Sequence, residues 1–306
     1  MGYAMASNIR KKLSSTSTLV VFDVNEAATK KFSQEFSGYG SIEIVSSARE
    51  VAEKSHTLIS IVPSSANVKE VYLNPDSGVI AASRNHHRLM VECSTIDVRS
   101  TRDVEEKLRA AEIGTYLDTP VSGGVPGATA ATLSFLIGAS TDDEIFDKAL
   151  RDRLHDLLAM MGEPRKFFYC GQVGNGLIAK ICNNYLAGVN LLAAAEAMNI
   201  GIRSGIDRKL LYDVIRHSSG QSFMFDHVHP APGAADQAPS NRGYSGGFKT
   251  QLMVKDMSLG VHAGQAQGVR TTMASAALGV YEEAAVDPRC IDKDVSVVYR
   301  FLDGPE

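Results

Sequence analysis

Residues 18–23 read TLVVFD, four apolar residues between a threonine and an aspartate. A short apolar run of this kind is typical of a strand buried in a parallel sheet. Similar runs recur along the first half of the chain: HTLISIV at 56–62, RLMVEC at 88–93, TYLD at 115–118, LSFLIG at 133–138 and KFFY at 166–169. Segments of helical period separate them, such as Ala48–Lys54 and Val98–Ala111. This alternation predicts a parallel sheet covered by helices.

The pattern changes after Gly171, where the chain becomes helical throughout. The predicted helices cover Gly176–Arg203, Arg208–His217, Thr250–Gln267 and Thr272–Ala285. We therefore predict an α/β domain over residues 1–170 and an all-helical domain over residues 171–306, joined by a long helix. The stretch His229–Gly247, rich in Pro, Gly, Ala and Asn, reads as an ordered loop or a flexible lid.

The length, charge and composition of the chain limit the kinds of partner that it is expected to bind. At 306 residues the chain is long enough for two domains with sizeable cores. Its net charge of −4 gives no reason to expect nucleic acid as a partner. Charged and amide residues, among them Lys180 and Glu196, interrupt the longest apolar stretch, so we expect no membrane partner. The four cysteines form no C-x-x-C pair and favour a reducing compartment.

The first 22 residues contain three basic residues, Arg10, Lys11 and Lys12, and no acidic one, as transit peptides often do. Apolar residues also recur there at helical spacing, as at Met5 and Ile9, and a strand-like run follows. We therefore predict the first helix of a folded domain.

Ligands of open parallel sheets bind beyond the carboxyl ends of the strands. Asp23 ends the first predicted strand, 21 positions after Gly2, close to the roughly 20 expected between a glycine loop and a ribose-binding acid. A carboxylate there accepts bonds from adenosine hydroxyls and repels a 2′-phosphate, which favours NAD over NADP. Val62-Pro63 and Ser94-Thr95 end the next strands. Helix caps use the same residue types, and on spacing alone the cap interpretation is the stronger one for Ser94 and Thr95.

A glycine-containing loop follows the fourth predicted strand, within DTPVSGGVPGATAATL at 118–133. Ser122, Gly123 and Gly124 would expose consecutive backbone N–H groups, which can bind the carboxylate of a substrate. The alternative is a plain glycine turn. We favour the anion site.

Lys180 is the only Lys or Arg between Phe167 and Ile202, in a helix that is apolar nearly all round. Such a helix is buried, and burial lowers the pKa of a lysine toward the working pH, so that it can exchange a proton. Asn184 lies one turn further on the same face, where its amide could hold a substrate oxygen. The alternative is a lysine that extends its ammonium to the surface.

Two other pairs have simpler interpretations. By spacing alone, Lys255 and Asp256 read as a solvated helix face. His227 and His229 have no third ligand nearby, so we predict no metal. The sequence contains no G-x-S-x-G segment, the motif that would indicate a serine hydrolase.

Five segments occur in the order found in 3-hydroxyisobutyrate dehydrogenases of the β-hydroxyacid dehydrogenase family. They are SIVPSSANV (60–68), ECSTID (92–97), DTPVSGGVPGA (118–128), GQVGNGLIAKICNN (171–184) and GGFKTQLMVKDMSLG (246–260). The chain resembles that family from Met1 to near its C-terminus. The resemblance implies a Rossmann-type N-terminal domain, an all-α C-terminal domain and a long interdomain helix.

The resemblance also implies an activity: NAD-dependent oxidation of 3-hydroxyisobutyrate to methylmalonate semialdehyde in valine catabolism. Lys180 would be the catalytic lysine, with the substrate held by Ser122, Gly123, Gly124 and Asn184. The residues expected to contact NAD are Gly2, Asp23, Val62, Pro63, Asn67, Thr95 and Lys255. Ala131 replaces a glycine usual in the family, a change expected to be tolerated.

Further expectations follow from the family. Met1-Gly2 resembles the end of a G-x-G-x-M-G loop, so the first strand and two loop glycines are expected to be missing from the chain. The family implies a homodimer or homotetramer in the mitochondrial matrix, although no targeting segment is visible and the alternative location is the cytoplasm. Two alternative functions remain: a reductase of succinic, tartronic or glyoxylic semialdehyde, or a non-catalytic binding module.

Overall fold

The computed structural model describes residues 1–140 and 146–306. The chain divides into two compact units, Met1–Lys180 and Ile181–Glu306. The first unit alternates helices and strands in the order α1 (Gly2–Lys12), β1 (Leu19–Val21), α2 (Glu26–Glu35), β2 (Ile42–Ile44), α3 (Ala48–Lys54), β3 (Thr57–Ser60), α4 (Ser65–Leu73), β4 (Leu89–Glu92), α5 (Val98–Ala110), β5 (Thr115–Asp118), β6 (Val121–Ser122), α6 (Gly124–Ala130), β7 (Leu133–Ile137), α7 (Lys148–Ala159) and β8 (Gly162–Tyr169). Helix α8 (Asn175–Arg203) begins in this unit and continues into the second.

The strands of the first unit form three sheets. β3, β4 and β5 pair in parallel, β1 pairs in parallel with β2, and β7 pairs with β6 and β8. All four residues of the middle strand β4 are buried, which explains why its sequence is a continuous apolar run up to Glu92. Among residues 1–140 and 146–306, β1 and β3 each pair along one edge only.

Side-chain caps fix where several helices of the first unit start. Ser47, Ser64, Asp97 and Asp147 each accept a hydrogen bond from a backbone N–H in the first turn of α3, α4, α5 and α7, respectively. Such caps satisfy N–H groups that have no partner within the helix. The helix predicted at the N-terminus is confirmed as α1.

The second unit is helical. After α8 come α9 (Arg208–Arg216), α10 (Phe223–His227), α11 (Thr250–Ala266), α12 (Thr272–Val286) and α13 (Val298–Phe301). Its core gathers Leu191 and Met198 of α8, Met257 of α11 and Tyr281 of α12, among others. The Tyr281 hydroxyl donates to the carbonyl of Gly188 over 2.8 Å, and a Cβ on Gly188 would lie 2.5 Å from the sulfur of Met257. A side chain at this position would therefore have to displace the Met257 side chain.

The segment between α10 and α11 is packed, as the ordered-loop interpretation of His229–Gly247 would require. A 3₁₀ turn, Pro239–Arg242, lies within it, and Ala231, Ala238 and Tyr244 are buried. His229 is fully buried as well. Its Nδ1 bonds to the carbonyl of Phe225, and burial lowers the pKa of its imidazole to about 4.

Helix α8 has 29 residues, and by length and composition alone it could cross a membrane. Its apolar window has a mean hydropathy of 1.3 and is 39% buried. Exposed apolar residues lie along it, including Leu186 and Ile200 at 59% and 68% exposure. Much of this apolar surface is therefore uncovered in the single chain.

Candidate active site

The N-terminus of α1 and the end of β1 supply the first candidate residues. Gly2 opens α1, and Met1 before it makes no side-chain cap hydrogen bond. An uncapped helix N-terminus of this length suits the pyrophosphate of a dinucleotide, because its free N–H groups and helix dipole attract anions. Asp23 follows β1 and is exposed, and its Oδ1 accepts the Asn25 N–H over 2.8 Å. The Asp23 carboxylate and the N-terminus of α1 are therefore candidate contacts for NAD.

The segments after β3 and β4 carry four more predicted cofactor residues, with Asn67 in the first turn of α4, and hydrogen bonds join the two segments. The Val62 N–H donates to Ser94 Oγ over 2.7 Å, and Ser65 Oγ donates to Asp97 Oδ2 over 2.7 Å. Around these bonds the other three candidates are exposed or half-buried: Pro63, Asn67 and Thr95. The two strand ends therefore form one connected surface.

A buried glutamate beneath these loops was missed by the sequence reasoning. Glu92 is 1% exposed, and its carboxylate accepts the Ser94 N–H over 2.7 Å and the hydroxyl of Ser60. Ser60 Oγ in turn lies 2.6 Å from the Tyr72 hydroxyl. Burial raises the pKa of Glu92 to about 7. The available signal was a single acidic residue inside the apolar run RLMVEC.

The predicted substrate loop adopts backbone conformations that favour glycine. Gly123 precedes α6 with φ +133°, Gly124 opens α6 with φ +63°, and both residues are exposed. Ser122 closes β6 opposite Ser134 of β7. Ala131, at the end of α6, has φ +55° and ψ +43°. The glycine usual in the family would relieve the left-handed strain there, which costs an alanine roughly 1 kcal/mol.

Asp118, which ends β5, connects this loop to the start of α8. It is fully buried, its Oδ1 accepts the Gly174 N–H over 2.6 Å, and its Oδ2 accepts the Leu177 N–H over 2.8 Å. Burial raises the pKa of this carboxylate. The sequence showed only a strand-ending aspartate, and its partners lie 56 and 59 positions away.

Lys180 is 8% exposed and lies on α8, three residues after Leu177. Its predicted burial is confirmed. Asn184 is half-buried one turn further along the same helix. The i, i+4 spacing puts the two side chains on one face.

In the second unit, Asn184 is bound to an acidic residue of α11. Its Nδ2 donates to Asp256 Oδ2 over 2.6 Å, and Asp256 is 3% exposed. Lys255 Nζ lies 3.3 Å from Asp256 Oδ1, with the lysine side chain 35% exposed and the aspartate side chain 4% exposed. The interpretation of both residues as a solvated face was wrong for Asp256, because its carboxylate is buried against the Asn184 amide.

The structure places the candidate residues from Gly2 to Lys180 in the first unit, and Asn184 and Lys255 in the second. Within residues 1–140 and 146–306, no group of three or more His, Cys, Asp or Glu side chains could hold a metal ion. His229 faces Tyr212 and Phe225, with ring centroids 4.9 and 4.7 Å away.

Comparisons with known proteins cover nearly the whole chain. Residues 1–171 match the family model described as the NAD binding domain of 6-phosphogluconate dehydrogenase. Residues 174–302 match the model described as NAD-binding of NADP-dependent 3-hydroxyisobutyrate dehydrogenase. The fold and site thus define a two-domain, NAD-dependent oxidoreductase that acts on the CH–OH group of 3-hydroxyacids.

The chain belongs to the 3-hydroxyisobutyrate dehydrogenase family. It is 36% identical to the NAD-dependent L-serine dehydrogenase of Pseudomonas aeruginosa, over 99% of this chain and 95% of that protein. It is 34% identical to the mitochondrial 3-hydroxyisobutyrate dehydrogenase of Homo sapiens, over 99% and 84%. The structure of Mycobacterium tuberculosis 3-hydroxyisobutyrate dehydrogenase with L-serine has a TM-score of 0.84 at 30% identity, covering 99% and 95%. The predicted fold, a Rossmann-type domain followed by a helical domain, is confirmed.

Proposed function

We propose that the chain oxidises 3-hydroxyisobutyrate to methylmalonate semialdehyde with NAD, a step of valine catabolism. The observation that carries the proposal is Lys180, a lysine only 8% exposed on a largely apolar helix, with Asn184 one turn further. A buried lysine beside a substrate is suited to proton exchange, because its neutral amine can take up the proton of a substrate hydroxyl. The names of several relatives support the choice of substrate.

Each residue has a stated task in the mechanism. The N–H groups of Ser122, Gly123 and Gly124 hold the substrate carboxylate, and the Asn184 amide orients its hydroxyl. Lys180 takes up the hydroxyl proton as the carbonyl forms. Bound NAD supplies the hydride acceptor.

The residues expected to hold NAD come from several loops. Asp23 and the first turn of α1, beginning at Gly2, bind the adenosine ribose and the pyrophosphate. The remaining contacts are assigned to Val62, Pro63, Asn67, Thr95 and Lys255.

L-serine is the second candidate substrate. A relative with 36% identity is named an L-serine dehydrogenase, and the similar structure is that of Mycobacterium tuberculosis 3-hydroxyisobutyrate dehydrogenase with L-serine. Both compounds are short acids with a 3-hydroxyl group, so the same residues would serve either. The experiment measures kcat/KM for oxidation of 3-hydroxyisobutyrate and of L-serine, and for reduction of succinic, tartronic and glyoxylic semialdehydes. The ratio of these constants defines specificity and so decides among the candidate substrates.

Replacing Lys180 tests the chemistry. We expect Lys180→Ala to lower kcat for 3-hydroxyisobutyrate by about 10²- to 10⁴-fold, the usual contribution of a positioned acid or base. NADH binding, followed by fluorescence, should change little. The control is Lys148→Ala, at a lysine whose side chain is 81% exposed. Equal loss of turnover and NADH binding would instead indicate misfolding, and full turnover would refute the role of Lys180.

We also propose that the chain forms a homodimer or homotetramer through α8. Its exposed apolar residues, including Leu186, Ala193 and Ile200, form surface that a second copy would cover. Sedimentation velocity tests this, and a monomer at micromolar concentration would refute it.

The domain boundary and the location of the protein are proposals too. We place the boundary at 170/171, supported by family models that cover 1–171 and 174–302, whereas the compact units meet at Lys180 and Ile181. Mitochondrial relatives support a matrix location, and a bacterial relative is equally compatible with the cytoplasm.

A further inference from the structure

We propose that Asp118 is a positioning residue for Lys180: its buried carboxylate fixes the first turn of α8 and thereby sets the place of the lysine. The inference rests on the proposed function, in which Lys180 exchanges a proton with the substrate. Asp118 itself has no assigned contact with substrate or cofactor.

The first support is the pair of hydrogen bonds. Asp118 Oδ1 accepts from Gly174 and Oδ2 accepts from Leu177, over 2.6 and 2.8 Å. The Leu177 N–H belongs to the first turn of α8, where N–H groups have no partner within the helix. Because both carboxylate oxygens are used, the helix start is held in position and in rotation about its axis.

The second support is the lack of space for a side chain at two glycines, Gly138 and Gly176, that lie against the carboxylate. A Cβ on Gly138 would lie 1.8 Å from Asp118 Oδ1. A Cβ on Gly176 would lie 2.9 Å from Asp118 Oδ2 and 2.2 Å from the carbonyl oxygen of Leu136. Neither position can accept a side chain without displacing the carboxylate or the backbone. The carboxylate therefore occupies a site shaped for it on both sides.

The third support is the chain path. Lys180 follows Leu177 by three residues, less than one helical turn, so a shift at the helix start passes directly to the lysine. On its other side Asp118 leads through Thr119 and Pro120 to Ser122. The Asp118 carbonyl also accepts the Gly138 N–H over 2.8 Å. One residue thus sets both the lysine helix and the start of the predicted substrate loop.

The variant Asp118→Asn tests this role. Asparagine keeps the shape but offers one acceptor oxygen, and its NH₂ group would face an N–H. We expect kcat to fall about 10- to 100-fold, since a misplacement of about 1 Å costs that much. The affinity for NADH should change less than about twofold, because the cofactor residues do not depend on this bond. Asp147→Asn is the matched control, because exposed Asp147 caps α7 by accepting the Leu150 N–H over 2.8 Å.

A second measurement needs neither a variant nor activity. In the wild-type chain, the amide protons of Gly174 and Leu177 should exchange with solvent at least about tenfold more slowly than that of Leu150, because a buried carboxylate holds them. Site-resolved hydrogen exchange measures all three. Exchange as fast as at Leu150 would overturn the proposal, whether or not Asp118→Asn folds.

The two experiments distinguish failure of the proposed function from failure of the positioning role of Asp118. A wild-type chain that oxidises no 3-hydroxyacid refutes the proposed function, while slow exchange at Gly174 and Leu177 would still support the anchoring of α8. In an active enzyme, Asp118→Asn with wild-type kcat refutes the positioning role. Loss of kcat together with loss of NADH binding and of the cooperative unfolding transition also refutes it, since the residue would then serve the fold alone.

Discussion

The two compact units each contain a buried aspartate that holds the segment leading into a helix. In the first unit, Asp118 accepts the N–H groups of Gly174 and Leu177 at the start of α8. In the second, Asp294 accepts the N–H of Phe248, two residues before α11, over 2.8 Å. Burial raises the pKa of both carboxylates. Each also lies against a glycine position that has no room for a side chain.

The two aspartates differ in the hydrogen-bond partner of their second carboxylate oxygen. Asp294 Oδ1 accepts the N–H and the hydroxyl of Ser296, only two residues away, over 3.0 and 2.6 Å. Both oxygens of Asp118 instead reach amides more than fifty positions along the chain. Asp294 therefore secures its own turn with one oxygen and Phe248 with the other. Asp118 instead ties together two segments that carry candidate site residues. We expect loss of Asp294 to lower stability and loss of Asp118 to lower turnover.

The largest effect is expected at the glycine beside Asp294. A Cβ on Gly247 would lie 2.0 Å from Asp294 Oδ2, and the residue has φ +71°. Gly247→Ala should cost about 4 kcal/mol of unfolding free energy in urea titrations, from overpacking and left-handed strain together. Gly243→Ala is the control, because φ is +64° there with nothing within 4 Å of a Cβ. It should cost about 1 kcal/mol, and equal losses would show that the carboxylate contact is unimportant.

Glu92 is a third buried acidic residue, and its bonds lie at the ends of β3 and β4 rather than at a helix. Burial raises the pKa of Glu92 from 4.5 to about 7, so the folded chain holds this proton more tightly than the unfolded chain. Its contribution to stability is therefore present at low pH and is lost as pH rises from about 4.5 to about 7.

Glu92→Gln cannot titrate, yet it keeps an acceptor for the Ser94 N–H. Between about pH 5 and pH 8 we expect the wild type to lose about 2–3 kcal/mol more stability than the variant. Urea unfolding at both pH values measures the difference. Exposed Glu26→Gln should follow the wild type. Parallel pH profiles for Glu92→Gln and the wild type would contradict the assignment.

The smallest of these effects is expected for Asp294→Asn. It leaves one acceptor oxygen and places an NH₂ group against the N–H of either Phe248 or Ser296, which should cost about 2 kcal/mol. Turnover should stay within about threefold of wild type, because the lost bonds hold Phe248 and the turn around Asp294, neither of which carries a candidate site residue. A fall in kcat as large as that of Asp118→Asn, in a folded protein, would erase the distinction between the two aspartates.

Much of the fold could be predicted because the apolar runs and helical periods are strong. The five helices predicted at 98–111, 176–203, 208–217, 250–267 and 272–285 appear within one residue of those bounds. β2 and β6 were not predicted. They have three and two residues, too short for a periodic pattern, and pairing with β1 and β7 defines them. The strand predicted at 166–169 begins at Gly162, since paired backbone continues through polar residues.

The candidate site was predictable where a polar residue interrupts an apolar helix or glycines follow a strand. Lys180 and Ser122–Gly124 are of this kind. Asp256, Glu92 and the task of Asp118 were not predictable, because each depends on a partner brought close only by folding. Asp256 meets Asn184 from 72 positions away, and Glu92 meets Ser60 from 32. The spacing of residues along the sequence does not reveal such long-range contacts.

The bonds that join the loops after β3 and β4 also constrain how this chain can change in length. Ser60 with Glu92, Val62 with Ser94 and Ser65 with Asp97 are all separated by the same 32 positions. The two loops therefore run side by side in step, residue against residue. An insertion or deletion between 74 and 88, outside α4 and β4, leaves all three partners aligned. A single residue inserted between 92 and 94 would instead keep the first pair and shift the other two out of register.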